Sequence, residues 1–116
     1  MSIAYVTVAI ATIGANAWAA VADFARAKFV LANSAELDIS QSWLPTLGAL
    51  KAAGAAGLLL GLLGVPAIGL MAATGLVLYF VGAVIVHVRA RAYVKIAIPG
   101  LFLALAAAAL ALTLTH

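Results

Sequence analysis

A narrow polar stripe runs along the first apolar segment of the sequence and carries side chains that could do chemistry. Tyr5, Thr12, Asn16 and Asp23 fall within about 40° of one another on a helical wheel drawn at about 100° per residue. An otherwise apolar helix turns such a stripe toward other helices. Asn16 and Thr12 then either form hydrogen bonds between helices, typically worth about 0.6 kcal/mol in a membrane, or line a ligand cavity.

Lys51 is a charged residue inside the second apolar segment. It lies about eight residues from the start of that segment, or about 12 Å at about 1.5 Å per helical residue. A lysine at that depth needs water or a partner. Two interpretations stay open: the side chain extends its ammonium group to the nearer membrane surface, or it pairs with Asp23.

His87, Arg89 and Arg91 form the H-x-R-x-R end of the third apolar segment. A single histidine at a helix end is typical of a contact with helix carbonyls or lipid headgroups, because catalysis and metal ligation need further converging groups. Threading the chain through a membrane brings these residues to the same surface as Asp23 and Lys51. We expect a basic mouth there, suited to an anionic headgroup, a carboxylate or an acidic partner.

Catalytic motifs are missing from the sequence. There is no nucleophile elbow, no H-E-x-x-H, no phosphate-binding glycine loop and no pair of intramembrane carboxylates. The lack of cysteine excludes disulfides, thiolate metal sites and iron–sulfur clusters. The two histidines, His87 and His116, fall at opposite ends of the predicted fold and cannot hold haem between them. We predict no catalytic residue, no metal and no resident cofactor, with a bound quinone or lipid left open.

Membrane-spanning helices are the elements that position these residues. Hydrophobic residues make up 68% of the 116 residues and charged residues 8%, whereas a soluble domain is about half apolar and about a quarter charged. Continuous apolar runs of about 20 residues fit helices that cross about 30 Å of hydrocarbon. The sequence predicts an all-α, integral membrane four-helix bundle forming one domain over residues 1–116. Its spans are expected at about 3–22, 43–63, 67–88 and 96–114.

The first helix is expected to extend beyond its membrane span. Apolar and basic residues from Phe24 to Leu31 keep helical spacing, so the helix should continue past the membrane surface. Asn33-Ser34 is expected to end it.

The basic residues predict the orientation. All six lie in or near the first and third loops, on one side of a four-pass chain: Arg26, Lys28, Lys51, Arg89, Arg91 and Lys95. Short cytoplasmic loops are enriched in Lys and Arg. We therefore expect a multi-pass protein of the inner (plasma) membrane with both termini outside the cytoplasm. The net charge of +3 faces the membrane, so no nucleic-acid partner is expected.

Small residues recur at helical spacing on the second and third spans. They are Gly54, Gly57, Gly61 and Gly64 on the second span and Gly75 and Gly82 on the third. Membrane helices approach one another closely across such faces. We expect these glycines to pack helices together, or to form a seam between two copies of the chain.

Three stretches, taken in order, resemble the DoxX-like family. They are Trp43 to Lys51 (WLPTLGALK), Ala73 to Ala83 (ATGLVLYFVGA) and His87 to Arg91 (HVRAR), with a glycine-rich helix between the first two. The resemblance covers essentially the whole chain and implies a small bacterial membrane protein folded as a four-helix bundle. Many relatives carry an acid in the early second helix, where this chain has Lys51. The family's diverse functions include small subunits associated with thiosulfate:quinone oxidoreductases, so the resemblance implies an accessory role.

Three functions compete. The first is an accessory or assembly subunit that holds a larger membrane protein, or a second copy of itself, without catalysis. The second is a quinone- or lipid-binding subunit of a membrane oxidoreductase that uses the basic mouth with Tyr79 and His87. The third is a small multidrug-type transporter, a family that uses an intramembrane glutamate in its first helix. Here that helix offers only Asn16, which cannot exchange a proton, so this function ranks last.

Overall fold

The computed structural model describes residues 2–25, 27–37, 39–91 and 96–115. In chain order the helices are α1 (Ile3–Phe24), α2 (Lys28–Glu36), α3 (Leu44–Leu62), α4 (Pro66–Arg89) and α5 (Ala97–Leu114), with a 3₁₀ turn at Gln41–Trp43 before α3. These described ranges contain no β-strand. Helices α1, α3, α4 and α5 are long and apolar enough to cross a membrane. The predicted all-α class with four membrane-spanning helices is therefore confirmed.

The four long helices form an antiparallel bundle. Helix α1 packs against α3 and α5, and α4 packs against the same two helices from the other side. The last turn of α1 meets the early part of α3 through Asp23 and Lys51 at one end. At the other end, Tyr5 in α1 lies beside Gly61, close to the end of α3. Short connections favour this arrangement, because they leave consecutive helices as antiparallel neighbours.

Helix α1 ends at Phe24, earlier than the sequence pattern predicts. The amide of Ala27 donates to the carbonyl of Ala22 at 3.1 Å, a span of five residues that is wider than an α-helical turn. A separate helix, α2, begins directly afterwards. The prediction of one continuous helix ending at Asn33-Ser34 is wrong, since both residues lie within α2.

Burial of apolar side chains explains the break. Val30 of α2 packs with Ala22 of α1 and Leu44 of α3 in a small core at the end of the bundle. A straight continuation of α1 would leave Val30 outside the membrane and exposed. Burying a side chain of this size typically stabilises by about 1.5–3 kcal/mol, so the chain folds back over the bundle end.

The turn between α3 and α4 depends on Gly64. The amide of Val65 donates to the carbonyl of Leu60 at 3.0 Å, and the amide of Gly64 donates to that of Gly61 at 3.4 Å, which is the pattern of a Schellman motif. Gly64 has φ of 116°, a conformation that glycine adopts at little cost. A Cβ there would meet nothing within 4 Å, so Gly64 shapes the turn and does not belong to the predicted packing row.

Three glycines bring α3 close to α4. A Cβ added at Gly61 would lie 2.7 Å from the Cα of Gly69, and those added at Gly54 and Gly57 would lie 2.5 and 2.6 Å from side-chain atoms of α4. A side chain at Gly57 or Gly61 fits only if the helices separate, whereas one at Gly54 requires the side chain of Leu76 to move. This seam provides the close backbone approach on which membrane helices rely.

Gly75 and Gly82 do not pack helices together within the chain. A Cβ at either position would meet nothing within 4 Å. Helix α4 packs Ala73, Leu76 and Phe80 into the core instead, and both glycines are exposed. Gly75 faces outward, whereas Gly82 lies at the cavity described below. The alternative of a seam between two copies stays a prediction.

The outer surface of the bundle is apolar. Large side chains are exposed along every long helix, among them Ile10, Leu59, Met71, Leu78 and Leu101. Leaving so many such groups in water would be costly, because each loses the free energy of burial. Lipid chains are the surroundings that this surface fits.

Candidate functional site

A cavity of about 470 Å³ lies at the end of the bundle that α2 covers. All five helices contribute to its wall, and most of the lining side chains are apolar. Among the described residues that line it, four carry a charged or titratable side chain: Asp23, Lys51, Tyr79 and His87. A mainly apolar cavity of about 300–1,000 Å³ with a few converging polar groups is typical of a small-molecule site.

Asp23 and Lys51 form an ion pair in this cavity. The Nζ of Lys51 lies 2.9 Å from Oδ2 of Asp23, and their side chains are only 15% and 6% exposed. Of the two interpretations for Lys51, the geometry supports the pair and overturns the extension of its ammonium group to the membrane surface. A buried charge is costly unless it is paired and hydrogen-bonded, which explains why each residue needs the other.

Gly48 allows this pair to form, and sequence reasoning missed its role. A Cβ at position 48 would lie 3.1 Å from the Cβ of Asp23 and 3.3 Å from the carbonyl oxygen of Ala20. The missing side chain lets α3 approach the last turn of α1 one helical turn before Lys51. A glycine at this spacing from a membrane-buried lysine was the available signal.

Aromatic side chains form a further part of the cavity wall. The Nζ of Lys51 lies 5.6 Å from the centre of the Tyr79 ring, within the range of a cation–π contact. Tyr79 meets Phe80 edge to face with ring centres 4.8 Å apart, and Phe80 lies 5.2 Å from Phe102 of α5. These rings offer flat apolar surfaces beside the ion pair.

His87 lies in the same cavity and is 5% exposed. Its Nδ1 is 2.7 Å from the carbonyl oxygen of Ala83, one turn earlier in α4. A carbonyl oxygen only accepts, so Nδ1 carries the hydrogen. The predicted contact with a helix carbonyl is present, but the ring is buried in the cavity wall rather than placed among headgroups.

The arginines of the predicted basic mouth do not line the cavity. Arg89 and Arg91 are both exposed at the end of α4, and Arg91 takes a positive φ of 57° just after the helix ends. The basic residues Arg26 and Lys95, like His116, lie outside the described residues. The chain thus brings together Asp23, Lys51 and His87 and leaves the two arginines on the outside of the same end.

Asn16 and Thr12 are fully buried in the bundle, outside the cavity. The hydroxyl of Thr12 donates to the carbonyl of Val8 at 2.7 Å and has a longer contact of 3.4 Å with that of Leu105 in α5. Asn16 donates to the carbonyl of Thr12 at 2.9 Å, within its own helix. Its Oδ1 has no partner among the described residues. Neither residue lines the cavity, and of the stripe only Asp23 reaches it. The predicted hydrogen bond between helices is present only as the long contact of Thr12 with Leu105, and Asn16 bonds within α1 alone.

The cover of the cavity was not predicted. Val30 of α2 and the following residues Leu37 and Ile39 line it. Sequence reasoning placed this segment in an extended helix and a surface loop. The apolar residues among the polar ones between Lys28 and Ser40 were the signal for a segment that folds back onto the bundle.

The similarity to a known family extends over nearly the whole bundle. Residues 6–109 match the sequence profile of the DoxX-like family, which covers most of the chain. The chain belongs to the DoxX-like family. No curated protein and no solved structure matches it. As a DoxX-like protein with four apolar helices of spanning length, it is a multi-pass membrane protein.

The cavity of this DoxX-like protein can bind, orient and desolvate a small molecule. Its two formal charges, on Asp23 and Lys51, pair with each other. Tyr79 and His87 add polar groups at different heights along α4. An uncharged molecule with an apolar body and a polar group fits this lining, because a charged one would have to break the ion pair or bury a further charge.

Proposed function

We propose that this DoxX-like protein is a non-catalytic membrane subunit that binds an uncharged, lipid-soluble molecule, of the quinone or lipid class, in the cavity between α2 and the bundle. The observation that carries the proposal is the cavity of about 470 Å³ with the buried ion pair of Lys51 and Asp23 in its wall. A protein that only held helices together would gain more from filling this space, because unfilled apolar volume is costly.

The aromatic and polar lining supports a ring-shaped ligand. Tyr79, Phe80 and Phe102 offer ring faces and edges, which suit flat unsaturated molecules. The ammonium group of Lys51 and the hydroxyl of Tyr79 are hydrogen-bond donors for a carbonyl oxygen. A quinone head combines a flat ring with such oxygens and carries an apolar tail that lipid can hold.

Extraction of the purified protein tests the proposal. The wild type is isolated from its native membrane in mild detergent, and the retained quinones and lipids are extracted and identified by mass spectrometry. Gly82 lines the cavity and has open space around an added Cβ, so Gly82→Leu fills part of the site. Gly75→Leu is the matched control, since Gly75 has the same open surroundings on the same helix but does not line the cavity.

The expected result is one class of molecule retained in near-stoichiometric amount by the wild type and by Gly75→Leu and strongly reduced in Gly82→Leu. Equal amounts of bulk membrane lipid in all three proteins, with no enriched molecule, would reject ligand binding in the cavity.

A second candidate function is the assembly of a larger membrane protein without a ligand. It is favoured by the exposed Arg89 and Arg91 at the end of α4 and by the open outer face at Gly75. A partner would bind these outer surfaces and leave the cavity alone. Crosslinking in native membranes followed by mass spectrometry would identify such a partner and distinguishes the two functions. Assembly predicts that the abundance of the partner falls when the chain is deleted. It also predicts that Gly82→Leu leaves the abundance of the partner unchanged.

For orientation we propose that the end with the cavity faces the cytoplasm and that both termini lie outside it, in the inner membrane. The basic side chains Lys28, Lys51, Arg89 and Arg91 all belong to that end of the bundle, and Lys and Arg are enriched on the cytoplasmic side. A reporter fused after residue 116 should be active outside the cytoplasm; cytoplasmic activity would reverse the orientation.

A further inference from the structure

We infer that His87 makes the site selective for a ligand with a hydroxyl group, such as a phenol, a quinol or a long-chain alcohol, over the same ligand with that oxygen blocked. This inference rests on the proposed function, since it concerns which lipid-soluble molecule the cavity takes. It assigns the hydrogen-bond acceptor of the site to one atom, Nε2 of His87.

The hydrogen bond within α4 fixes the tautomer of the ring. The carbonyl of Ala83 accepts at 2.7 Å and requires the hydrogen on Nδ1. In the neutral ring the other nitrogen, Nε2, is then an acceptor only. The bond also holds Nδ1 against the backbone of α4, which leaves the opposite edge of the ring for the cavity that His87 lines.

No donor in the described part of the chain supplies a hydrogen bond to Nε2. Within this part, the hydrogen bond to Ala83 is the only one that His87 forms, and the residue is only 5% exposed. The one fully buried side-chain atom without a partner in this part of the chain is Oδ1 of Asn16, so Nε2 of His87 is accessible. An accessible, unpaired acceptor on a residue that lines the cavity offers a place for a ligand donor. A quinone carbonyl cannot fill it, because it also only accepts, whereas a hydroxyl group can.

The other charged and polar groups of the cavity do not replace His87. Asp23 and Lys51 are engaged with each other. Tyr79 lies eight residues earlier on α4, about 12 Å away along the helix. His87 therefore binds a ligand hydroxyl at a different place from any polar group of the ligand that contacts Lys51 or Tyr79.

A matched pair of probes tests the inference. Binding of 4-octylphenol and of its methyl ether, 4-octylanisole, is measured by calorimetry on the purified full chain in detergent. Titrations into protein-free detergent correct for partitioning. The proteins compared are the wild type, His87→Phe, which removes the acceptor, and His87→Gln, whose amide oxygen can accept again. Thr74→Val is the matched control, because Thr74 also donates to a carbonyl one turn earlier on α4, at 2.9 Å, but lies outside the cavity.

The expected result is that the wild type and Thr74→Val bind the phenol about five- to tenfold more tightly than the ether, the size of one net hydrogen bond. His87→Phe should bind both equally, and His87→Gln should regain part of the preference. Equal binding of the two probes by the wild type would overturn the inference and leave ligand binding intact, and this comparison needs no variant to fold. A preference that survives in His87→Phe would also overturn it. Absence of binding of either probe to the wild type would reject the proposed function itself.

Discussion

The Nζ of Lys51 in α3 lies 2.9 Å from Oδ2 of Asp23 in the last turn of α1, with both side chains largely buried. The contact joins two helices at the wall of the cavity and is the only salt bridge among the described residues. Removal of either side chain would leave the other charge buried without a partner, so the pair matters both for the folding of the bundle end and for the charge balance of the site.

A double-mutant cycle should separate the pair from its members. Lys51→Met and Asp23→Asn each leave the other charge buried without a partner, and each should lower the free energy of unfolding in detergent by about 3–5 kcal/mol. The double variant should lose markedly less than the sum of the two, because no buried charge remains. The measurement is denaturant unfolding followed by circular dichroism. Additive losses would mean that the two side chains do not interact in the folded protein.

Gly61→Ala should destabilise the seam between α3 and α4. The added methyl group would lie 2.7 Å from the Cα of Gly69, and backbone cannot yield as a flexible side chain does. We expect a loss of about 1–3 kcal/mol in the free energy of unfolding, the usual cost of overpacking. Gly75→Ala is the control, since its methyl group meets open space. Equal stability of the two variants would show that the helices are further apart than described.

Asn16→Leu should leave the stability unchanged or raise it. Its Oδ1 is fully buried and has no hydrogen-bond partner among the described residues, so the amide bears a desolvation cost that a leucine of similar size avoids. Thermal unfolding in detergent measures the effect. A loss comparable with that of Gly61→Ala would mean that Oδ1 binds a water molecule or another polar group that stabilises the bundle.

The sequence predicts the spans well because the signal is strong and local. Runs of about 20 apolar residues have one common solution in a bilayer, a helix. The polar stripe from Tyr5 to Asp23 also predicts a buried face, since a fixed 100° per residue relates spacing to direction. Both depend on properties of single helices.

Contacts between helices are harder to predict. A row of glycines shows that a face is smooth but not what it meets, so Gly54 and Gly61 lie in the seam whereas Gly75 faces outward. The pairing of Lys51 depends on the distance between α1 and α3. Gly48, one helical turn before Lys51, allows the two helices to approach. The break after Phe24 follows from burial of Val30 on distant Leu44, a contact that local spacing does not contain.

Quenching of Trp18 fluorescence tests ligand binding in the cavity most directly. The chain has two tryptophans; Trp18 lines the cavity and Trp43 does not, so Trp43→Phe leaves a single reporter at the site. Titration with a short-chain quinone in detergent should give saturable quenching in this background, and much weaker quenching when Gly82→Leu is added to fill the cavity. Addition of Gly75→Leu instead should leave the saturation curve unchanged. Linear, non-saturating quenching of the same slope in all three proteins would contradict a binding site in the cavity.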